Sequence, residues 1–142
     1  MSEKLKKTNK KIKELLTIDD DLHSASRSTP MIHSQLMEML GEETLKLKDY
    51  LAKEKNFQLE RWKFYSGKQP DEYYKKYPLP ERILKTDIER YMKADSVLTE
   101  FSKIVDEQTQ CVKALEAAVK ECGHRGFHIK TALDFMKFES GA

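Results

Sequence analysis

The sequence contains few of the residues that interrupt helices or cross-link a small fold. Its 142 residues include four prolines, five glycines and two cysteines. No apolar run approaches the roughly 20 residues that a membrane-spanning helix needs, and the N-terminus lacks the apolar core of a secretion signal. These absences predict a one-domain helical protein that is neither secreted nor inserted in a membrane.

The two cysteines do not indicate a disulfide framework. Cys111 and Cys122 lie on one predicted helix, separated by about 16 Å at a rise of 1.5 Å per residue. That separation is too long for a disulfide within the chain. We therefore expect a reducing cytoplasm as the working environment, with both thiols serving as small buried apolar side chains.

The sequence carries no motif of a known catalytic or metal site. It has neither the Gly-x-x-x-x-Gly-Lys-Ser/Thr loop nor the Gly-x-Gly-x-x-Gly turn that cradles phosphates, and no nucleophile elbow. Its histidines form no metal-ligand pattern with the cysteines; they are His23, His33, His124 and His128. We expect no enzymatic activity, no metal and no cofactor.

The composition indicates long solvated helices. Hydrophobic residues make up 39% of the chain and charged residues 35%, which is apolar-poor for a compact globule. A single chain with so little apolar surface to bury is expected to oligomerise. The net charge of +2 does not by itself indicate nucleic acid, so the distribution of charge matters more than its sum.

Local signals divide the chain into a basic N-terminal arm with its linker, residues 1–28, and a helical domain, residues 29–142. The lysine-rich arm is compatible either with a solubilising tail or with a DNA contact. Thr29-Pro30 is a helix-start signal that follows a Ser-rich loop at 22–29. It predicts a first helix over about 30–64, which Ser66-Gly67 ends before an irregular connection that reaches residue 80.

The second predicted helix is unusually long. Apolar residues from Leu84 to Cys122 recur at a mean step close to 3.5, the coiled-coil period, and Gly123 provides a stop. This pattern predicts a helix over about 81–122, roughly 60 Å long, whose apolar face needs a partner helix. Asp95 and Gln108 fall on that face. They either fix the register and number of the partner helices or are exposed positions near a helix kink.

A short C-terminal helix is predicted over about 128–140. It is rich in apolar side chains for a terminal element, so it either packs on the first two helices or docks on another subunit. The residues that we assign to oligomerisation are Phe127, Ile129, Leu133, Phe135, Met136 and Phe138. The predicted fold class is therefore all-α, a long helical hairpin with a short C-terminal helix.

Aromatic and basic residues are concentrated between residues 57 and 77. This stretch holds seven of the 13 aromatic residues of the chain, counting its Trp, six Tyr and six Phe together. Cations offset phosphates and flat side chains stack on unpaired bases, at about 1–3 kcal/mol per base, so the mixture favours single-stranded nucleic acid. The alternative is that Trp62 and Tyr65 plug the end of the hairpin and that Lys63 and Lys68 are ordinary surface charges. The candidate DNA-binding residues are Arg61, Trp62, Lys63, Tyr65, Lys68, Lys75 and Lys76.

From about residue 30 to the end, four segments at residues 61–67, 94–98, 124–130 and 136–141 resemble, in order, segments of the UvsY-like recombination mediators of T4-like bacteriophages. Residues 61–67 resemble that family's Arg-x-x-Tyr-Tyr-Ser-Gly, and residues 124–130 its Ser-Arg-Gly-Phe-x-Ile-Lys. Residues 136–141 resemble its Met-Arg-x-Phe-Glu-x-Gly. Between these segments, Ala94-Asp95 and Val97-Leu98 match pairs that the family carries in a long helix.

The resemblance implies a non-catalytic mediator that binds single-stranded DNA. Such a protein loads the phage recombinase onto DNA in exchange for the phage single-strand DNA-binding protein, in the cytoplasm of the infected bacterial host. The resemblance also implies a cyclic homo-oligomer of about six or seven subunits, assembled through the C-terminal region. It assigns DNA contact to Arg61, whereas Leu59 stands where the family has a Lys.

The long helix with a 3.5-residue period fits a second class of protein equally well. A coiled-coil scaffold or assembly protein without a nucleic-acid partner needs the same apolar face. Such a protein does not need aromatic and basic residues clustered between two helices, and this cluster is the feature that favours DNA binding.

Overall fold

The computed structural model describes residues 2–141, and all regular secondary structure in that range is helical. The all-α prediction is confirmed. In chain order, the helices are α1 (Glu3–Leu16), α2 (Leu22–Tyr65), α3 (Asp71–Lys76), α4 (Ile88–Lys93), α5 (Ser96–Cys122) and α6 (Arg125–Glu139). Within the described range, no helix is long and apolar enough to cross a membrane.

The helices form two compact units. Unit 1 comprises Met1–Lys46 and Glu107–Ala142, and unit 2 comprises Leu47–Asp106. Because α2 and α5 are long, each contributes residues to both units. The candidate DNA-binding residues belong to unit 2, and the candidate oligomerisation residues belong to unit 1.

Unit 1 is built around an apolar cluster between α2 and α5. Leu36 of α2 and Leu115 of α5 are fully buried at its centre. Partly buried Ile12, Leu15 and Leu16 of α1 pack against this cluster. The basic N-terminal segment is therefore a folded helix that places its apolar stripe on the core, as amphipathic helices do.

A buried polar group joins three helices of unit 1. The side-chain amide of Gln108 donates to the backbone carbonyl of Glu43 over 2.8 Å and to its carboxylate over 2.6 Å. The Lys4 ammonium lies 2.9 Å from the same carboxylate. Burial acts to raise the pKa of Glu43, but the hydrogen bond from Gln108 and the Lys4 charge lower it below its usual value. Gln108 is thus a buried, hydrogen-bonded residue, and the exposed alternative for it is wrong.

The first long helix begins at Leu22 and not at Pro30, so the predicted loop at 22–29 is wrong. The Asp21 carboxylate caps the helix by accepting from the Ser24 amide over 3.0 Å. Proline inside a helix removes one hydrogen bond. Buried Arg125 donates to the Ala25 carbonyl and the Thr29 hydroxyl in the turn before Pro30, and these tertiary contacts hold the segment helical.

The predicted continuous helix over 81–122 is wrong in its first part. Residues 77–87 are irregular, α4 is short, and a break at Ala94–Asp95 separates it from α5. Leu84, taken as the start of the apolar face, is 63% exposed. The Asp95 carboxylate accepts from the Leu98 amide over 3.0 Å, so it acts as an N-cap that starts α5 anew.

The C-terminal helix is present as α6, beginning three residues before its predicted start at 128. Of its candidate oligomerisation residues, Ile129 is buried inside unit 1. The others are exposed, and Phe138 is 79% exposed. Leu133, Phe135, Met136 and Phe138, together with Phe127, are thus largely uncovered and are distributed around α6. We call this exposed apolar surface of the helix the α6 face.

Candidate nucleic-acid interface

The end of α2 fixes the geometry of the candidate interface. Gly67 has a φ of 73°, a left-handed conformation that favours glycine. Its amide donates to the Phe64 carbonyl, and the Lys68 amide donates to the Lys63 carbonyl over 2.8 Å. This glycine stop satisfies the last carbonyls of the helix and turns the chain back toward α3.

Some aromatic residues of the 57–77 stretch form a structural cluster. Phe64 is buried, and its ring centre lies 5.7 Å from that of Tyr74 and 5.8 Å from that of Tyr73. The Tyr74 hydroxyl donates to the Phe64 carbonyl over 2.8 Å. Phe64, Tyr73 and Tyr74 therefore pack α3 onto the end of α2.

Arg61 and Tyr65 share one buried carboxylate. The Arg61 Nε lies 2.7 Å from Asp95 Oδ2, and the Tyr65 hydroxyl donates to the same oxygen over 2.5 Å. Asp95 is only 3% exposed. The Arg61 guanidinium also lies 4.6 Å from the Phe64 ring centre. Both side chains are thus held by an ion pair or a hydrogen bond within unit 2. Their spacing in the sequence did not predict these contacts, because Asp95 lies 34 and 30 residues away.

The Asp95 carboxylate is held in its charged form. Burial acts to raise its pKa, but hydrogen bonds from Tyr65, the Leu98 amide and Arg61 outweigh burial and lower the pKa below its usual value. Burial and the neighbouring carboxylate raise the pKa of Tyr65, so its hydroxyl stays protonated and continues to donate. The ion pair and the hydrogen bond therefore support each other.

The neighbouring side chains on α2 remain open to solvent. Trp62 is 38% exposed, and the Lys68 ammonium lies 4.4 Å from the centre of its ring. Lys63 is exposed, as are Lys75 and Lys76 in the last turn of α3. None of these four lysines forms an ion pair with a carboxylate within residues 2–141.

Trp62 also lines a cleft of about 510 Å³ in unit 2. The end of α2 forms one wall, and the irregular segment before α4 forms the other, with Arg82 and Lys85. Sequence reasoning missed these two cations because it placed them inside a continuous helix. The prolines at 78 and 80 indicate an irregular chain only up to residue 80, so no sequence signal identified the two cations.

No group of three or more His, Cys, Asp and Glu side chains among residues 2–141 is arranged to hold a metal ion. Cys111 and Cys122 are buried free thiols, and burial raises the pKa of Cys122.

A family model described as recombination, repair and ssDNA binding protein UvsY matches residues 9–142. The chain belongs to the UvsY family. No curated protein matches the sequence.

Crystal structures of the bacteriophage T4 recombination mediator protein UvsY share the fold of this UvsY-family chain. One has a TM-score of 0.78 at 19% identity, covering 96% of this chain and 97% of that one. A second has a TM-score of 0.75 at 18% identity, covering 95% and 98%. At this identity the likeness establishes the fold alone.

Several residues in the UvsY-like segments support the fold of this chain. Arg61 pairs with Asp95, and Arg125 is buried in hydrogen bonds to α2. Leu59, by contrast, is exposed. Arg61 and Arg125 thus contribute packing, whereas the unpaired Lys63 lies two residues from Arg61 in the sequence.

We predict that Asp95→Asn lowers the free energy of unfolding at pH 7 by about 3 kcal/mol, because the partly buried Arg61 charge loses its partner. The asparagine oxygen can still cap α5. In the wild type the pKa of Asp95 is lowered by folding, so its contribution is complete above about pH 4 and is lost as the pH falls through the folded-state pKa. Urea unfolding at pH 7 and at low pH measures both effects.

The matched control is Asp49→Asn, which changes an exposed carboxyl of α2 in the same unit. It should unfold like the wild type at both pH values. An Asp95→Asn protein with wild-type stability and wild-type acid sensitivity would show that the buried pair does not stabilise unit 2.

Proposed function

We propose that this chain is a recombination mediator that binds single-stranded DNA through unit 2. In this role it loads a recombinase onto DNA in exchange for the single-strand DNA-binding protein, and it performs no covalent chemistry itself. Membership of the UvsY family supports the role. The surface around Trp62 supports the binding site.

The observation that carries the proposal is an exposed aromatic ring surrounded by unpaired cations. Trp62 offers a flat surface on which an unpaired base can stack when the Lys68 ammonium, 4.4 Å from the ring centre, moves from the ring to a phosphate. Lys63, Lys75 and Lys76 offer further charges for the phosphates. An ammonium without a carboxylate partner gives up no ion pair when it contacts a phosphate. The site is therefore independent of base sequence.

Arg61 and Tyr65 have a positioning role in this proposal. Their polar atoms are engaged by Asp95, so a direct phosphate contact would break a buried ion pair. Holding α2 in this way keeps Trp62 and Lys63 on the solvent side. Substitution of Arg61 is thus expected to weaken DNA binding through the fold of unit 2.

Self-association is the second part of the proposal. The α6 face exposes more large apolar side chains than a terminal helix normally leaves uncovered. We assign it to contacts between copies in a cyclic homo-oligomer. Each copy contributes one DNA site, and several weak sites on one strand raise the overall affinity by multivalency.

We predict that Lys63→Ala combined with Lys68→Ala weakens binding of a fluorescent oligo-dT strand by about tenfold at low salt. The slope of log affinity against log salt should fall by about 1 to 1.5, since each lost phosphate contact contributes about 0.7 for single strands. Fluorescence anisotropy at two or more salt concentrations measures both changes.

The matched control is Lys48→Ala combined with Lys55→Ala, which removes two exposed charges from α2 in the same unit. This control has the same net charge as the test variant and should keep nearly wild-type binding. Equal losses in the two double variants would indicate a diffuse charge effect. Absence of any wild-type binding at low salt would support the coiled-coil scaffold instead.

We predict that Phe135→Glu combined with Phe138→Glu reduces the oligomer to smaller species, because each buried charge in an apolar contact is costly. Light scattering coupled to size-exclusion chromatography measures the mass. The control, Lys137→Glu, places a carboxylate between them at an exposed position and should keep the parent mass. An unchanged mass in the double variant would contradict assembly through the α6 face.

A further inference from the structure

The cleft beside Trp62 differs from the other surfaces of unit 2 in the charges that line it. Lys68, Arg82 and Lys85 contribute three cations, and no carboxylate lies among its lining residues. Its volume of about 510 Å³ lies within the range of sites for small organic ligands, about 300–1,000 Å³. Leu79, Ile83 and Ile88 add apolar side chains to its lining.

We propose that this cleft holds one nucleotide of the bound strand, with its base against the Trp62 indole and its phosphates at Arg82 and Lys85. The proposal rests on the proposed function, because it names the subsite that a single strand occupies in unit 2. It assigns a role to Arg82 and Lys85, which lie outside the aromatic and basic stretch at residues 57–77.

The cations must be the groups that bind phosphate here. At the end of α2 the backbone amides of Ser66, Gly67 and Lys68 already donate to carbonyls of the helix, so they offer nothing to an anion. Arg82 and Lys85 are exposed and form no ion pair within residues 2–141. Their charges are thus available to a ligand.

Trp62 also lines a second cleft, which is less favourable for a phosphate. Trp62, Lys85 and Ile88 also line a smaller cleft of about 340 Å³, but Glu89 lines it too. A carboxylate repels a phosphodiester, so the larger cleft is the favourable one. Glu81, which neighbours Arg82 in sequence, accepts a hydrogen bond from the Tyr91 hydroxyl and lies outside the lining residues.

Insertion into a cleft selects for unpaired DNA. A base in a duplex is stacked on both faces and cannot enter without being extruded, whereas a base in a single strand stacks freely on an aromatic ring. The cleft therefore discriminates single-stranded from double-stranded DNA. The Lys63 and Lys75 charges outside the cleft do not, because both forms of DNA carry phosphates.

The test compares an oligo-dT strand with an abasic strand of the same length, which keeps the phosphates and lacks the bases. Trp62→Leu should weaken oligo-dT binding by about fivefold to a hundredfold, the equivalent of one lost stacking contact, and leave abasic binding unchanged. Arg82→Ala and Lys85→Ala should each weaken binding of both strands by about twofold to fivefold and lower the salt slope by about 0.7.

The controls are Arg90→Ala and Lys48→Ala, which remove exposed charges of unit 2 outside the cleft. They should bind like the wild type, and circular dichroism checks that each variant is folded. If the wild type binds oligo-dT but Arg82→Ala and Lys85→Ala match these controls, the cleft is not the site. Equal effects of Trp62→Leu on both strands would also overturn it. A wild type that binds neither strand would refute the proposed function itself.

Discussion

The buried carboxylate of Asp95 is the constraint on which unit 2 depends. It is almost fully removed from solvent, and a buried charge is tolerated only when it is paired and hydrogen-bonded. Arg61 and Tyr65 meet that requirement from α2, and the Leu98 amide meets it from α5. One side chain thus starts α5 and ties its N-terminus to the end of α2.

This constraint decides which side chains can meet a ligand. On α2, Arg61 and Tyr65 point their polar atoms to Asp95, and Phe64 packs on the tyrosines of α3. Trp62 and Lys63 occupy the intervening positions and are exposed, as the 3.6-residue period of a helix requires. The same turns of α2 therefore present one face to the interior of unit 2 and the opposite face, which we propose for DNA, to solvent.

The helical class and the ends of α2 and α5 at Gly67 and Gly123 could be predicted from periodicity and glycine stops. The helical segment before Pro30 could not, because Arg125 stabilises it from about 100 residues away along the chain and tertiary contacts override local signals. For the candidate site, sequence identified the aromatic and basic mixture. Sequence could not separate the packed residues of this mixture from the exposed ones. That division depends on the contacts of Arg61 and Tyr65 with Asp95, which is distant in sequence.

Trp62 is the only tryptophan of the chain, so its fluorescence reports directly on the surface that we assign to DNA. The most direct measurement is a titration of the full chain with labelled oligo-dT at low salt, following strand anisotropy and tryptophan emission together. Stacking of a base on the indole predicts that emission is quenched with the same midpoint as the rise in anisotropy. Binding of the strand with unchanged Trp62 emission would contradict the account.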